Sequence, residues 1–173
     1  AFYVFVYTIW LKRTSTQNIV IGGAAGAAPV LIGWSAVTNS VGWPAVILFG
    51  VVFFWTPPHF WALAIRYESD YAAASVPMMP VVAGHRKTAI QIFVYSLIVF
   101  ACSLALWPVA DMGYVYLGAA ILVGVAFSGG AWRLYVESDE QRLDSLAIKY
   151  FAFSITHLTV LFAAVAIDQL VGW

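Results

Sequence analysis

Phe53–Val82 reads FFWTPPHFWALAIRYESDYAAASVPMMPVV, the end of an apolar run followed by a loop bearing Arg66, Glu68 and Asp70. With the residues before it, the run is long enough to span a bilayer. Charges at the mouth of a membrane helix are costly, and usually serve a substrate or an ion. Thr56, His59, Leu63, Arg66 and Asp70 are spaced by three or four residues. On a helix that continued past Arg66 they would share one face, a polar track from the membrane interior to water. The alternative is a plain interfacial i,i+4 pair of Arg66 with Asp70. Pro57 and Pro58 are expected to interrupt the helix, which a membrane tolerates beside protein or a water-filled cavity.

The rest of the chain has the same character. Hydrophobic residues make up 63% and charged residues 9%, against roughly a quarter charged in soluble domains. The apolar segments are Ala1–Leu11, Ile19–Val37, Trp43–Ile65, Ala89–Val109, Tyr114–Tyr135 and Tyr150–Val171. An all-α, polytopic transmembrane bundle follows, with about five full spans plus the end of another, in one membrane domain over residues 1–173. Ala1–Leu11 is half the length of a span, so the expectation is that its beginning lies upstream.

Orientation is legible in the charges. Lys12 and Arg13, then Arg66, Arg86 and Lys87, then Arg133, Arg142 and Lys149 fall in or beside alternate connections. The turns Thr38–Gly42 and Ala110–Gly113 carry no Lys or Arg. By the positive-inside rule the basic side is the cytoplasm, and the C-terminal end lies outside it, with Asp111 and Asp168. A net charge of zero hides this asymmetry.

Several features have bland explanations. Gly22–Ala28 forms a smooth helix face suited to close packing in lipid. The long connection Arg66–Thr88, with Pro77, Pro80 and Gly84, suggests an ordered lid or a short re-entrant turn. The run ESDEQRLDSL (Glu137–Leu146) reads as a solvated helix extension or loop. His157 is expected to be polar glue between helices, and His85 needs no special role. His59 could donate a hydrogen bond or contact a large planar ligand; an interhelical hydrogen bond is the alternative. Phe53, Phe54, Trp55, Phe60 and Trp61 could line a tunnel or shield a cation. Cys102 is expected to serve packing. Glu68 and Asp70 are hard oxygen ligands of the kind that hold Mg²⁺ together with substrate phosphates.

YTIWLKRTSTQNIVIGGAAGAAPVLIGW (Tyr7–Trp34) and the motif Thr56-Pro57-Pro58-His59, followed by Asp70-Tyr71 and Val76–Pro80, carry a resemblance. They resemble the UbiA superfamily of intramembrane prenyltransferases, in its haem-modifying branch. The resemblance implies a nine-span fold of which this chain is the C-terminal part, in the inner (plasma) membrane. It implies transfer of a farnesyl group from farnesyl diphosphate to a vinyl group of haem B (protohaem IX), giving haem O for terminal oxidases, with Mg²⁺ as cofactor. Asp70 matches the second aspartate-rich motif and is the implied metal ligand. Where the superfamily has an acid four residues earlier, this chain has Arg66, which would grip the diphosphate. Tyr7, Lys12 and Arg13 match a basic pocket, His59 matches the branch's histidine, and Asn18, Tyr67 and Tyr71 complete the implied substrate-binding set. The first aspartate-rich motif has no counterpart, so the chain alone is expected to be inactive. Haem A synthase or oxidase-assembly proteins are implied partners beside the lipid bilayer, and no nucleic acid is. The competing readings are an acceptor of the aromatic quinone-precursor class, and a non-catalytic transporter or oxidase-assembly protein.

Overall fold

The computed structural model describes residues 15–171. Ala1–Leu11, with Tyr7, and the bases Lys12 and Arg13 lie outside the described residues. Six helices follow: α1 Asn18–Thr38, α2 Trp43–Arg66, α3 Glu68–Ala73, α4 Met79–Val109, α5 Tyr114–Val136 and α6 Glu140–Val171. All but α3 are long and apolar enough to cross a membrane. The chain is an all-α, multi-pass membrane bundle.

Two helices outrun their apolar segments. α4 starts ten residues before Ala89, with one break at Gly84, and α6 starts ten before Tyr150. Hydropathy marks only the part of a helix that lipid surrounds, whereas backbone hydrogen bonding continues into water. At 1.5 Å per residue α6 is about 48 Å long, against roughly 30 Å of hydrocarbon. The charged run after Glu137 is therefore a helix extension. It starts where the Asp139 carboxylate accepts the amide of Arg142 at 3.0 Å, satisfying one of the first-turn donors.

The helices α2, α4, α5 and α6 form a ring. α2 packs on α4 and α6, α5 packs on the same two, and α1 leans on α2 from outside. Packing in lipid is decided by how closely backbones approach. At Gly124 an added Cβ would lie 2.2 Å from Cδ2 of Phe100, so glycine is what lets the Phe100 ring lie against α5. At Gly23 it would lie 3.2 Å from Cβ of Thr56, the close approach of α1 to α2.

Polar ties link the helices of the ring. The Ser96 hydroxyl donates to the Ile92 carbonyl, so the Tyr150 hydroxyl donates to Ser96, at 2.7 Å. Tyr116 donates to the carbonyl of Ser103 at 2.7 Å and Trp55 to that of Ser154 at 3.0 Å. At one end Asp168, 2% exposed, accepts the amides of Gly113 at 2.6 Å and Tyr116 at 2.9 Å. A carboxylate of α6 thus caps the N-terminus of α5, where amide donors and helix dipole both favour negative charge.

Pro57 and Pro58 do not interrupt α2, contrary to the reading of the sequence. The helix runs on to Arg66, with both prolines buried against its neighbours. The break comes at Gly84 instead (φ 77°, ψ 167°), inside the span of α4, and the helix restarts at His85. That positive φ combined with an extended ψ is open to glycine and not to a residue with a Cβ.

Candidate active site at the charged end of the bundle

α2 stops at Arg66 because Tyr67 leaves the helical region (φ −110°, ψ 30°). Thr56, His59, Leu63 and Arg66 therefore share a face, but Asp70 does not continue it. Asp70 belongs to α3, a separate helix of six residues. The expected Arg66–Asp70 pair does not form. Arg66 Nη1 instead meets Asp144 Oδ2 of α6 at 3.5 Å, with both side chains substantially exposed (52% and 39%). Its guanidinium also lies 5.9 Å from the centre of the Tyr67 ring.

Glu68 is taken by His85, which closes the start of α3 onto the restart of α4. Arg66, Glu68, His85, Glu140 and Asp144 line one open cavity of about 490 Å³. Asp70 lies outside that lining, exposed and with no side-chain partner among the described residues. Tyr67 is exposed, Tyr71 packs part-buried on the core, and Asn18 is buried at the first residue of α1. The described residues contain no group of three or more His, Cys, Asp or Glu arranged for a metal. Mg²⁺ commonly takes one or two carboxylates and fills its remaining positions with water and phosphate oxygens. Asp70 fits that pattern as a single open carboxylate, whereas Glu68 is already engaged.

His59 lies seven residues before Arg66, about 10 Å along the helix. Its ring is stacked between Trp55 (centroids 4.3 Å apart) and Phe151 (4.4 Å), with Phe60 edge-on at 5.0 Å. The cavity expected beside it is filled by these rings. Nδ1 lies 2.6 Å from Ser154 Oγ, and that hydroxyl spends its one proton on the Phe151 carbonyl. The imidazole must then donate from Nδ1, which leaves Nε2 with its lone pair. His157 has the opposite surroundings. It is fully buried and stacked on Phe127 at 4.4 Å, and neither ring nitrogen has a hydrogen-bond partner among the described residues. It is not the hydrogen-bonded glue the sequence suggested. The tunnel of aromatics is not one surface either: Trp61 packs edge-on against Tyr95 in the core while Phe60 faces outward.

Comparison with known proteins places this arrangement. The UbiA prenyltransferase family matches residues 1–166. The chain belongs to that family. Among its relatives, a Parafrankia sp. (strain EAN1pec) protein named "Protoheme IX farnesyltransferase" is 60% identical over 96% of this chain and 53% of its own length. Proteins of the same name from Gloeobacter violaceus and Frankia alni are 53% and 56% identical, over 98% and 99% of this chain and 54% and 59% of theirs. The chain thus spans about half the length of the curated relatives it matches. No solved structure matches it.

Within this UbiA-family chain, sequence reasoning missed Ser154, Asp144 and His85 as partners of the candidate residues. Ser154 is 95 residues from His59 and His85 is 17 from Glu68, so no helical spacing links them. The one available signal was Gly84, whose break turns His85 back toward α3.

Proposed function

We propose that the protein transfers a farnesyl group from farnesyl diphosphate to a vinyl group of haem B, giving haem O. The observation that carries this reading is the 60% identity, along nearly the whole chain, with a relative named for farnesyl transfer to protohaem IX. Because the match covers about half of that relative, the activity is assigned to the full-length protein. The shared name of the relatives favours haem over a quinone-precursor acceptor and over a non-catalytic membrane protein.

The geometry suits a division of labour along α2. Arg66 is held by a single exposed ion pair, and such pairs contribute little. It can therefore exchange Asp144 for a diphosphate, whose oxygens match the guanidinium fork. Lys12, Arg13 and Tyr7 would complete the anion pocket. Asp70 would hold a Mg²⁺, which when bound neutralises charge on the departing pyrophosphate. The farnesyl C–O bond breaks with its electron pair leaving on pyrophosphate. The vinyl double bond supplies the pair for the new C–C bond, and water adds to the cation left on the adjacent carbon and gives up a proton to the released pyrophosphate. Deeper in the bundle, Phe60 offers exposed flat apolar surface for a porphyrin, and displacement of the rings packed on His59 would bring its Nε2 to that ligand. Charged donor near water and flat acceptor deeper in lipid match their solvation.

We further propose that the charged end faces the cytoplasm, that the C-terminal end lies outside it, and that the membrane is the inner (plasma) membrane. Oxidase-assembly proteins or haem A synthase would receive the product. The test is product analysis: full-length protein with farnesyl diphosphate, Mg²⁺ and haem B should yield haem O. Prenylation of a hydroxybenzoate instead, or no product from either acceptor, would overturn the assignment.

A further inference from the structure

We infer that the groove between the charged ends of α5 and α6 is a binding site for one anionic phospholipid. Arg133, in the last turn of α5, and Lys149 of α6 border a single cavity of about 420 Å³ whose floor includes Leu146 and Phe153. No carboxylate lines it, in contrast to the neighbouring cavities, which hold Glu68, Glu137, Glu140 or Asp144. Neither cation has an ion-pair partner among the described residues. Lys149 also borders a space shared with Asp144, but that carboxylate is paired with Arg66.

Each cation alone is what the positive-inside rule and the helix dipole would place there. The groove adds shape to charge. At Gly130 an added Cβ would lie 3.0 Å from Cδ2 of Tyr150, so that glycine serves helix packing. At Gly129 an added Cβ would meet nothing within 4 Å, so its missing side chain leaves open space in the groove instead. Two unneutralised cations over an apolar furrow at the end of two spanning helices suit a phosphodiester head with its acyl chain laid below. Lys149 borders the apolar segment, and its long stem lets the ammonium reach the headgroup level.

The test uses full-length protein in bilayer discs of equal phosphatidylcholine and phosphatidylglycerol, with retained lipid counted by native mass spectrometry. Phosphatidylglycerol should be enriched on the wild type. Arg133→Gln and Lys149→Gln should each lower the enrichment about five-fold. Gly129→Leu should lower it with both charges in place. Arg142→Gln, an exposed cation outside the groove, should leave it unchanged. Wild-type enrichment in Gly129→Leu, or an equal loss in Arg142→Gln, would reduce the effect to diffuse interfacial attraction and overturn the site. Displacement of the lipid by inorganic pyrophosphate would assign the cavity to the diphosphate donor and overturn it as well.

Discussion

Asp168 and Asp70 stand at opposite ends of the bundle in opposite circumstances. Asp168 is buried, with both oxygens on backbone amides of α5. Asp70 is exposed on a six-residue helix with no side-chain partner among the described residues. A buried carboxylate persists only where donors replace its water, and at 2% exposure the lone pairs of Asp168 that the two amides leave over are closed to a ligand. Asp70 keeps all of its own. The same contrast holds for the ends as wholes. One has short turns and a cap between helices; the other has a helix break, a separate short helix and ion pairs at the surface. On the proposed function, stability and binding belong to different ends.

The contrast breaks first at Asp70, where the largest effect is expected. In the full-length protein Asp70→Ala should lower turnover on the order of a thousandfold, through lost stabilisation of pyrophosphate charge, with thermal stability unchanged. Near-normal haem O formation, measured by chromatography of extracted haems, would make that carboxylate ornamental. Asp168→Ala should show the reverse pattern, costing about 2–3 kcal/mol of stability for two charge-assisted hydrogen bonds while leaving the donor KM alone. Thermal unfolding in detergent reads the first quantity and steady-state kinetics the second.

The histidines give smaller effects that sharpen the picture. His59→Ala should weaken haem binding roughly tenfold in a spectroscopic titration, and leave the farnesyl diphosphate requirement unchanged. Equal haem affinity would return the residue to packing. His157→Phe removes two buried nitrogens that lack partners among the described residues, so stability should stay within about 1 kcal/mol of wild type or rise. A loss of several kcal/mol would show that a buried water or another group satisfies that ring. Smallest of all, a double-mutant cycle on Arg66 and Asp144 should give a coupling of about 1 kcal/mol or less in stability. Arg66→Ala should nevertheless raise the KM for farnesyl diphosphate, since the guanidinium is then missing from the donor site.

Much of this was written in local sequence. Trp43, Val109 and Tyr114 are helix boundaries that hydropathy alone locates, because lipid imposes one length and one composition on every span. Long-range pairing was not legible. The hydroxyl chosen by His59, the acid chosen by Arg66 and the amides chosen by Asp168 all belong to other helices. Nothing in spacing along one helix encodes which neighbour it meets. Pro57 and Pro58 misled for a related reason: proline propensity describes a helix in water, whereas in α2 the surrounding protein accommodates both prolines within a continuous helix. Asp70 is the intermediate case. Its residue type was readable, but its separation from the face of Arg66 depended on where Tyr67 turned the chain.

The hydrogen bond between His59 and Ser154 also has a timetable. The two residues are 95 positions apart, and at roughly 5–20 residues per second a ribosome needs about 5–20 s to pass from one to the other. Until α6 emerges, α2 can contact α1 and α4 but has nothing to fix its imidazole proton. The orientation of that ring is thus among the last details of the bundle to be completed during synthesis.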